Sequence, residues 1–224
     1  MGVRAELPGF VTHYYLPGRQ PFLSLSGLGD AELAAVLADL GALRRAGKQH
    51  RPFGPRYMEL RRRTEVRLHE MFVAAGGRPE RPWPHYFVLG DSPWYAGLAE
   101  NMQSIQLPLS ALPPGQTTIT YPDSFTAMGL GTDLGLGQPP RPCHGCVFLL
   151  GELPGMVEEI GMPDPSSWGG RYQTWTTWPA DAYIEVQLWS DEPIRAYLPG
   201  SREGRTHSRH AACADGAVHQ RELP

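Results

Sequence analysis

The residues best suited to chemistry lie on one predicted strand near the end of the chain, residues 183–189 (YIEVQLW). Side chains alternate between the two faces of a strand, so Ile184, Val186 and Leu188 are predicted on one face. The other face would carry Tyr183, Glu185, Gln187 and Trp189. A carboxylate flanked by aromatic and amide side chains on one sheet face is typical of a binding cleft. The simpler interpretation is the solvent-facing side of an antiparallel sheet, where polar residues also alternate with apolar ones.

A second cluster, residues 84–95, combines a predicted strand with an aromatic-rich turn. On the strand, His85 would share a face with Phe87 and Leu89, where a histidine is more often a hydrogen-bonded core residue than a ligand or base. The following turn, residues 90–93, could offer backbone N–H groups to a ligand, including that of Ser92, although most such turns only reverse the chain.

A third cluster is Tyr121-Pro122-Asp123-Ser124-Phe125, a group of polar residues at the end of a predicted strand. Asp123 is equally well explained as an Asx-type turn, in which the carboxylate accepts hydrogen bonds from the backbone that follows it. One hypothesis from this cluster is a small-molecule enzyme whose cleft uses His85, Tyr121 and Asp123.

The chain has three cysteines, too few for a disulfide scaffold, and the odd number argues against an oxidising compartment. Cys143 and Cys146 have the spacing of half a zinc site, and the other half would have to come from His207, His210 and Cys213. We predict no metal site. The N-terminus lacks a signal-peptide core, and no run of 18 apolar residues occurs, so we expect a cytoplasmic protein without membrane spans.

The elements that must position these clusters follow from composition and periodicity. With 26 Gly and 23 Pro in 224 residues, many short elements joined by tight turns are expected. Apolar residues at helical spacing predict a helix after Asp30, as the capping residue, that stops at Gly47. A second helix is predicted from Pro55 to about Ala75.

Beyond residue 82 the pattern predicts strands at 84–90, 104–109, 117–121, 146–150 and 182–189, with one helix at 152–161. We therefore predict an α+β fold, with two N-terminal amphipathic helices packed on a mostly antiparallel, strand-rich C-terminal half. Residues 1–199 are expected to form a single domain. Residues 200–224 are expected to be a poorly ordered tail.

Charge is distributed unevenly along the chain. Residues 44–81 hold eleven basic and four acidic side chains, whereas residues 82–200 hold three basic and twelve acidic ones. The basic segment, with Arg61, Arg62, Arg63 and Arg67, could attract nucleic acid. The simpler interpretation is a solvated helix face balanced by Glu59, Glu65 and Glu70 through neighbouring-turn pairs.

The blocks PHYFVLGDSPWYAGL, SIQLPLSAL, TTITYPDSFTAMG and YIEVQLWSDEPI follow one another along residues 84–194. Together with His13 in a Thr-His context, this order resembles DarT-type DNA ADP-ribosyltransferase toxins over residues 10–198. The resemblance implies NAD as substrate, with Glu185 as the catalytic carboxylate and Gln187 orienting the acceptor. The NAD-binding residues that it suggests are His13, Tyr86, Ser92, Tyr121 and Tyr183. Arg61, Arg62, Arg63 and Arg67 would then face a nucleic-acid acceptor.

Two differences from the family pattern stand out. The family has an arginine in the turn after its aromatic strand, where this chain has Leu89, Gly90 and Asp91. Another cation, such as Arg19, Arg51 or Arg56, would have to hold the NAD phosphates. Many ADP-ribosyltransferases also have Gln or Glu two residues before the catalytic Glu, and here Gln187 follows Glu185. The alternative hypothesis is a non-catalytic nucleic-acid or protein binding module that uses the basic 44–81 segment.

Overall fold

The computed structural model describes residues 7–51, 53–129, 141–164 and 181–198. Six strands lie in these ranges: β1 (Phe10–Tyr15), β2 (His85–Leu89), β3 (Gln103–Pro108), β4 (Thr117–Thr120), β5 (Phe148–Leu149) and β6 (Glu185–Leu188). They form one sheet in the order β3-β1-β2-β6-β4-β5, and every neighbouring pair is antiparallel. The predicted α+β class and antiparallel sheet are confirmed. The tail at 200–224 lies outside the described residues.

Five α-helices accompany the sheet in the described ranges, besides short 3₁₀ turns: α1 (Asp30–Arg45), α2 (Pro55–Ala74), α3 (Pro93–Ala96), α4 (Ser124–Ala127) and α5 (Leu153–Ile160). Gly47, with φ of 71°, follows the end of α1 in the left-handed conformation that suits glycine. The predicted N-cap of α1 is wrong, because Gly29 occupies that position without a side-chain cap and Asp30 is the first helical residue.

The two faces of the sheet are covered differently. On one face, Val186 and Leu188 of β6 belong to an apolar cluster that includes Phe87 of β2 and Leu153 and Met156 of α5. On the other face, α2 packs through Leu68 and Phe72 against Trp189, which follows β6. The buried residues of α2 include Leu60, Thr64, Leu68 and Phe72, and through them α2 lies over the polar side of β6.

The sheet opens between β1 and β2, and this opening positions the candidate site. β1 pairs with β3 along all six of its residues, from Phe10 to Tyr15. With β2 it pairs only at Val11 with Leu89 and at Thr12 with Val88. Beyond Thr12 the two strands separate, so the end of β1 and the start of β2 border a fork that side chains from α2 can enter. We call this opening the β1–β2 fork.

Candidate active site

A cavity of about 310 Å³ occupies the β1–β2 fork. Its walls include residues 12–15 of β1, residues 84–88 around β2, and side chains from α1, α2 and α4. Four of the residues predicted for the site line it together: His13, Tyr86, Tyr183 and Glu185. His13 lies on β1, Tyr86 on β2 and Glu185 on β6, and Tyr183 lies in the loop just before β6. A concave site of this volume is in the range that small-molecule ligands occupy.

Glu185 is buried at one wall of the cavity, with 5% of its surface exposed. Its Oε1 accepts hydrogen bonds from the backbone N–H of Ser124 (3.3 Å) and from Nε2 of Gln187 (3.0 Å). Burial, reinforced by the negative charge of Asp123, raises the pKa of Glu185 to about 7, although these two hydrogen bonds oppose the shift. The simpler interpretation of a solvent-facing strand is therefore wrong, because both faces of β6 are buried.

Gln187 does not line the cavity and is completely buried. Its Oε1 accepts from the Thr118 hydroxyl (2.8 Å), and its Nε2 donates to Thr120 Oγ1 (2.9 Å) as well as to Glu185. Thr118 also accepts from Nε1 of Trp189 (2.9 Å). The expectation that Gln187 contacts an acceptor is not met, since these bonds bury its amide. Gln187 instead orients the Glu185 carboxylate.

His13 lines the cavity, but both of its ring nitrogens are engaged by the backbone. Nδ1 lies 2.9 Å from the carbonyl oxygen of Tyr86, and Nε2 accepts from the N–H of Phe22 (3.0 Å). Burial lowers the pKa of His13 to about 4, so the ring is neutral and Nδ1 carries the proton donated to Tyr86. Its role is to bridge β2 and the segment around Phe22, and it offers a ligand only the edge and face of the ring.

Phe22 has a φ of 61°, which is unusual for a bulky residue. The His13 ring stacks on Phe22 with centroids 4.2 Å apart, and Phe22 is buried against Phe87. The hydrogen bond from the Phe22 N–H to His13 and this packing hold the strained backbone in place. Such conformations persist where the surroundings fix them, often beside functional sites.

Tyr86 enters the cavity from β2 and belongs to a buried polar network. Its hydroxyl donates to Oε1 of Glu65 (2.9 Å), which also accepts from Nε of Arg61 (3.0 Å). The Arg61 guanidinium lies 4.6 Å from the centre of the Tyr86 ring, a cation–π contact. Burial and the charge of Glu65 raise the pKa of Tyr86, so the phenol keeps its proton. The sequence contained the Arg61–Glu65 pair at i,i+4 spacing but gave no sign of its burial.

Tyr183 lies in an aromatic group at the cavity wall. Its ring centroid is 4.8 Å from that of Tyr95 and 5.5 Å from that of Trp94. Trp94 and Tyr95 also line the cavity, as do Tyr57 and Phe125, whose rings are 5.5 Å apart. None of these four residues was predicted to bind a ligand, although Trp94 and Tyr95 lie in the second cluster of the sequence and Phe125 in the third. The adjacent aromatic residues at 94 and 95 were the sequence feature that could have indicated an aromatic wall.

Two residues predicted to bind the cofactor lie outside the cavity lining. Ser92 caps α3, because its Oγ accepts from the N–H of Tyr95, and its own N–H donates to the hydroxyl of Tyr14 (3.0 Å). That N–H is therefore not available to a ligand. Tyr121 is buried in the apolar cluster, with the Arg141 guanidinium 5.6 Å from its ring centre.

The hypothesis of a cleft built from His85, Tyr121 and Asp123 is not supported by this arrangement, because only His85 and Asp123 line the cavity. His85 is buried, and its Nε2 lies 2.8 Å from a carboxylate oxygen of Asp191, as expected for a hydrogen-bonded core histidine. Asp123 forms the predicted Asx turn, accepting from the N–H groups of Phe125 and Thr126. The same turn presents the Ser124 N–H to Glu185.

The basic segment is not a uniform solvated face. Arg61 is turned inward, with 14% of its side chain exposed, and its partner Glu65 is completely buried. Arg61 is thus unavailable to a nucleic-acid backbone, contrary to the expectation for this residue. Arg67 donates to the carbonyl oxygen of Met128 (3.2 Å) from an exposed position on α2. Arg63 is also exposed, and Arg62 is half-buried.

Cys143 and Cys146 are free thiols. Among the described residues, no group of three or more histidine, cysteine or acidic side chains is arranged to hold a metal ion. His207, His210 and Cys213, the other half of the considered zinc site, lie outside the described residues.

Comparisons with protein-family models, curated proteins and solved structures found no match to this chain. In the ranges that the structure describes, none of the helices has the length and apolar character needed to cross a membrane.

Proposed function

We propose that this protein is an ADP-ribosyltransferase-like enzyme, which cleaves the nicotinamide–ribose bond of NAD and transfers ADP-ribose to a macromolecular acceptor. The observation that carries the proposal is the meeting of Glu185, Tyr86 and Tyr183 in one cavity at the β1–β2 fork. The proposal also draws on the order of sequence blocks along residues 84–194. Nucleic acid is the acceptor class that the resemblance implies.

Breaking the bond between C1 of the ribose and the nicotinamide nitrogen sends the bonding electron pair to nicotinamide. Positive charge then develops on the ribose ring. A carboxylate fixed nearby in a water-poor site stabilises that charge more strongly than it does in water. A lone pair of the acceptor forms the new bond to C1, and the acceptor's proton passes to Glu185 or to solvent. Glu185 is the catalytic carboxylate of this proposal, and Gln187 and the Ser124 N–H hold it in orientation.

The neutral aromatic walls suit a flat cationic ring. Tyr86 and Tyr183 both line the cavity, and burial raises the pKa of each phenol, so neither ionises near neutral pH. Stacking against such rings could orient the nicotinamide group. Because the Glu185 carboxylate must be ionised to stabilise positive charge, activity is expected to rise as pH increases through about 7.

The test measures nicotinamide release from NAD by chromatography, using the wild type, Glu185→Gln and the matched control Glu100→Gln. Glu100 is exposed and does not line the cavity. We expect Glu185→Gln to lower the rate by about 100-fold or more and Glu100→Gln to leave it unchanged. Equal rates in the wild type and Glu185→Gln would remove Glu185 from the mechanism. The absence of NAD binding to the wild type would end the proposal.

A further inference from the structure

Three arginines line the cavity, and they differ in how their charge is balanced. Arg19 is paired with Asp39 at 3.0 Å, and Arg61 is paired with Glu65 at 3.0 Å. In the part of the chain that the structure describes, Arg51 has no carboxylate within ion-pair distance. Arg51 is half-buried in the cavity wall. A guanidinium partly shielded from water and left without a counter-charge is stabilised when an anion binds to it.

Aromatic residues fix the position of the Arg51 guanidinium. It donates to the hydroxyls of Tyr57 (3.3 Å) and Tyr95 (3.4 Å), and it lies 5.5 to 5.9 Å from the ring centres of Phe53, Tyr57 and Tyr95. A guanidinium has five N–H donors, and the described residues accept only these two long hydrogen bonds from it. Donors therefore remain for a ligand in the cavity.

The hydroxyl of Tyr57 adds a further donor at the same place. Its oxygen accepts from Arg51 (3.3 Å) and also from Arg61 (3.2 Å). An oxygen that accepts two hydrogen bonds from cations directs its own proton elsewhere, and no described residue accepts that proton. Tyr57 lines the cavity, so this O–H and the guanidinium of Arg51 are donors on the same wall.

The backbone that carries Arg51 is anchored before any ligand arrives. The buried side chain of Gln49 donates to the carbonyl oxygens of Arg51 (2.8 Å) and Leu40 (2.9 Å). The N–H of His50 donates to the carbonyl oxygen of Leu98 (2.9 Å). A donor set held in this way loses little conformational entropy when it binds an anion.

We propose that Arg51 and the Tyr57 hydroxyl form an anion subsite that binds a phosphate or pyrophosphate group of a nucleotide ligand. The inference rests on the proposed function in one respect, since NAD carries such a pyrophosphate between its two ribose groups. A planar guanidinium joined by a hydroxyl donor matches the oxygens of a phosphate group.

The test is calorimetric titration of two ligands, ADP-ribose and nicotinamide riboside, because only the first carries phosphates. The variants are Arg51→Met, Tyr57→Phe and the control Arg56→Met. Arg56, the third cation considered for the NAD phosphates, does not line the cavity, and its side chain is exposed and paired with Glu59. We expect Arg51→Met to weaken ADP-ribose binding by about 10- to 100-fold and Tyr57→Phe to weaken it by about 5-fold. The affinity for nicotinamide riboside should not change in any variant.

Unchanged ADP-ribose affinity in both Arg51→Met and Tyr57→Phe would overturn the subsite. An equal loss of affinity for the two ligands would also overturn it, because the effect would then not depend on phosphate. Tyr57→Phe keeps the ring and so tests the subsite even if Arg51→Met does not fold.

The two proposals can fail separately. If the wild type binds ADP-ribose through Arg51 but releases no nicotinamide from NAD, the subsite stands and the proposed function fails. If NAD is cleaved and Arg51→Met keeps the wild-type KM, the proposed function stands and the subsite is overturned.

Discussion

Both faces of β6 are buried, but one carries apolar side chains and the other carries polar ones. Val186 and Leu188 lie in the apolar cluster beneath α5 without any exposed surface. Glu185 and Gln187 alternate with them along the strand and are almost as completely buried beneath α2 and α4. Burial alone therefore does not distinguish a core residue from a site residue in this protein. What distinguishes them is the free energy that burial gains or costs.

The apolar face gains free energy when it leaves water, at about 25 cal/mol for each Å² buried. The polar face loses the hydration of a carboxylate and an amide, and it recovers part of that loss only through hydrogen bonds. Thr118 and Thr120 satisfy the Gln187 amide. Glu185 is left with a pKa raised to about 7. Buried polar groups with perturbed pKa values cluster at functional sites, and the proposed catalytic carboxylate lies on the α2 side of the strand for this reason.

The largest loss of stability is expected when a buried charge on the α2 side of β6 loses its ion-pair partner. Replacing Arg61 with Leu leaves the Glu65 carboxylate buried without its ion-pair partner. We expect the free energy of unfolding, measured by urea denaturation, to fall by about 3–5 kcal/mol. The double variant Arg61→Leu/Glu65→Leu should regain most of this loss. A loss below about 1 kcal/mol in the single variant would mean that the pair is solvated.

The apolar face should respond to lost volume. Replacing Leu188 with Ala in the fully buried cluster should lower the free energy of unfolding by about 2–5 kcal/mol, because transfer energy is lost and a cavity remains. Glu185 lies on the opposite face of β6. Near pH 5 its carboxyl group is protonated, and Glu185→Gln replaces it with a neutral amide of similar shape. This substitution should therefore change the free energy of unfolding by less than about 1 kcal/mol. Equal losses in the two variants would contradict the contrast between the faces.

The two faces of β6 should also differ in how they affect the pH dependence of stability, because only the polar face carries a titrating group, Glu185. The pKa of Glu185 is about 7 in the folded chain against an ordinary value of 4.5, so the folded state binds more protons between these values. The free energy of unfolding should therefore fall as pH rises from 4.5 through 7, by about 3 kcal/mol in total. Denaturation of the wild type and Glu185→Gln at pH 5 and pH 8 isolates this effect. From pH 5 to pH 8 the wild type should lose stability relative to Glu185→Gln. A difference in unfolding free energy that stays constant between the two pH values would contradict this prediction.

A smaller loss than that of Arg61→Leu or Leu188→Ala is expected at Gln187. Gln187→Leu removes the hydrogen bonds to Thr118, Thr120 and Glu185, and should cost about 1–3 kcal/mol of stability. Since the bond from Gln187 lowers the pKa of Glu185, its loss should also move the rise of activity to higher pH. A pH–rate profile of nicotinamide release measures this shift. An unchanged midpoint would mean that Gln187 does not act through Glu185.

The sequence by itself determined the type and approximate position of the main elements. Period-two alternation in residues 183–189 assigned Ile184, Val186 and Leu188 to the apolar face, and helical periodicity located α1 and α2. These signals are local, because the spacing of side chains along a strand or helix is set by backbone geometry. The Asx turn at Asp123 was also readable, since an aspartate bonds to the backbone two residues on.

Only the tertiary structure decided which of those residues share a site. The β1–β2 fork depends on where pairing between Thr12 and Val88 stops, a register between segments more than seventy residues apart. The engagement of both His13 nitrogens and the burial of Arg61 are set by what packs against them. The same holds for Arg51, which the sequence offered as one of three cations. Whether a charged side chain has a counter-charge depends on which residues lie near it in the folded protein, and sequence spacing does not specify those neighbours.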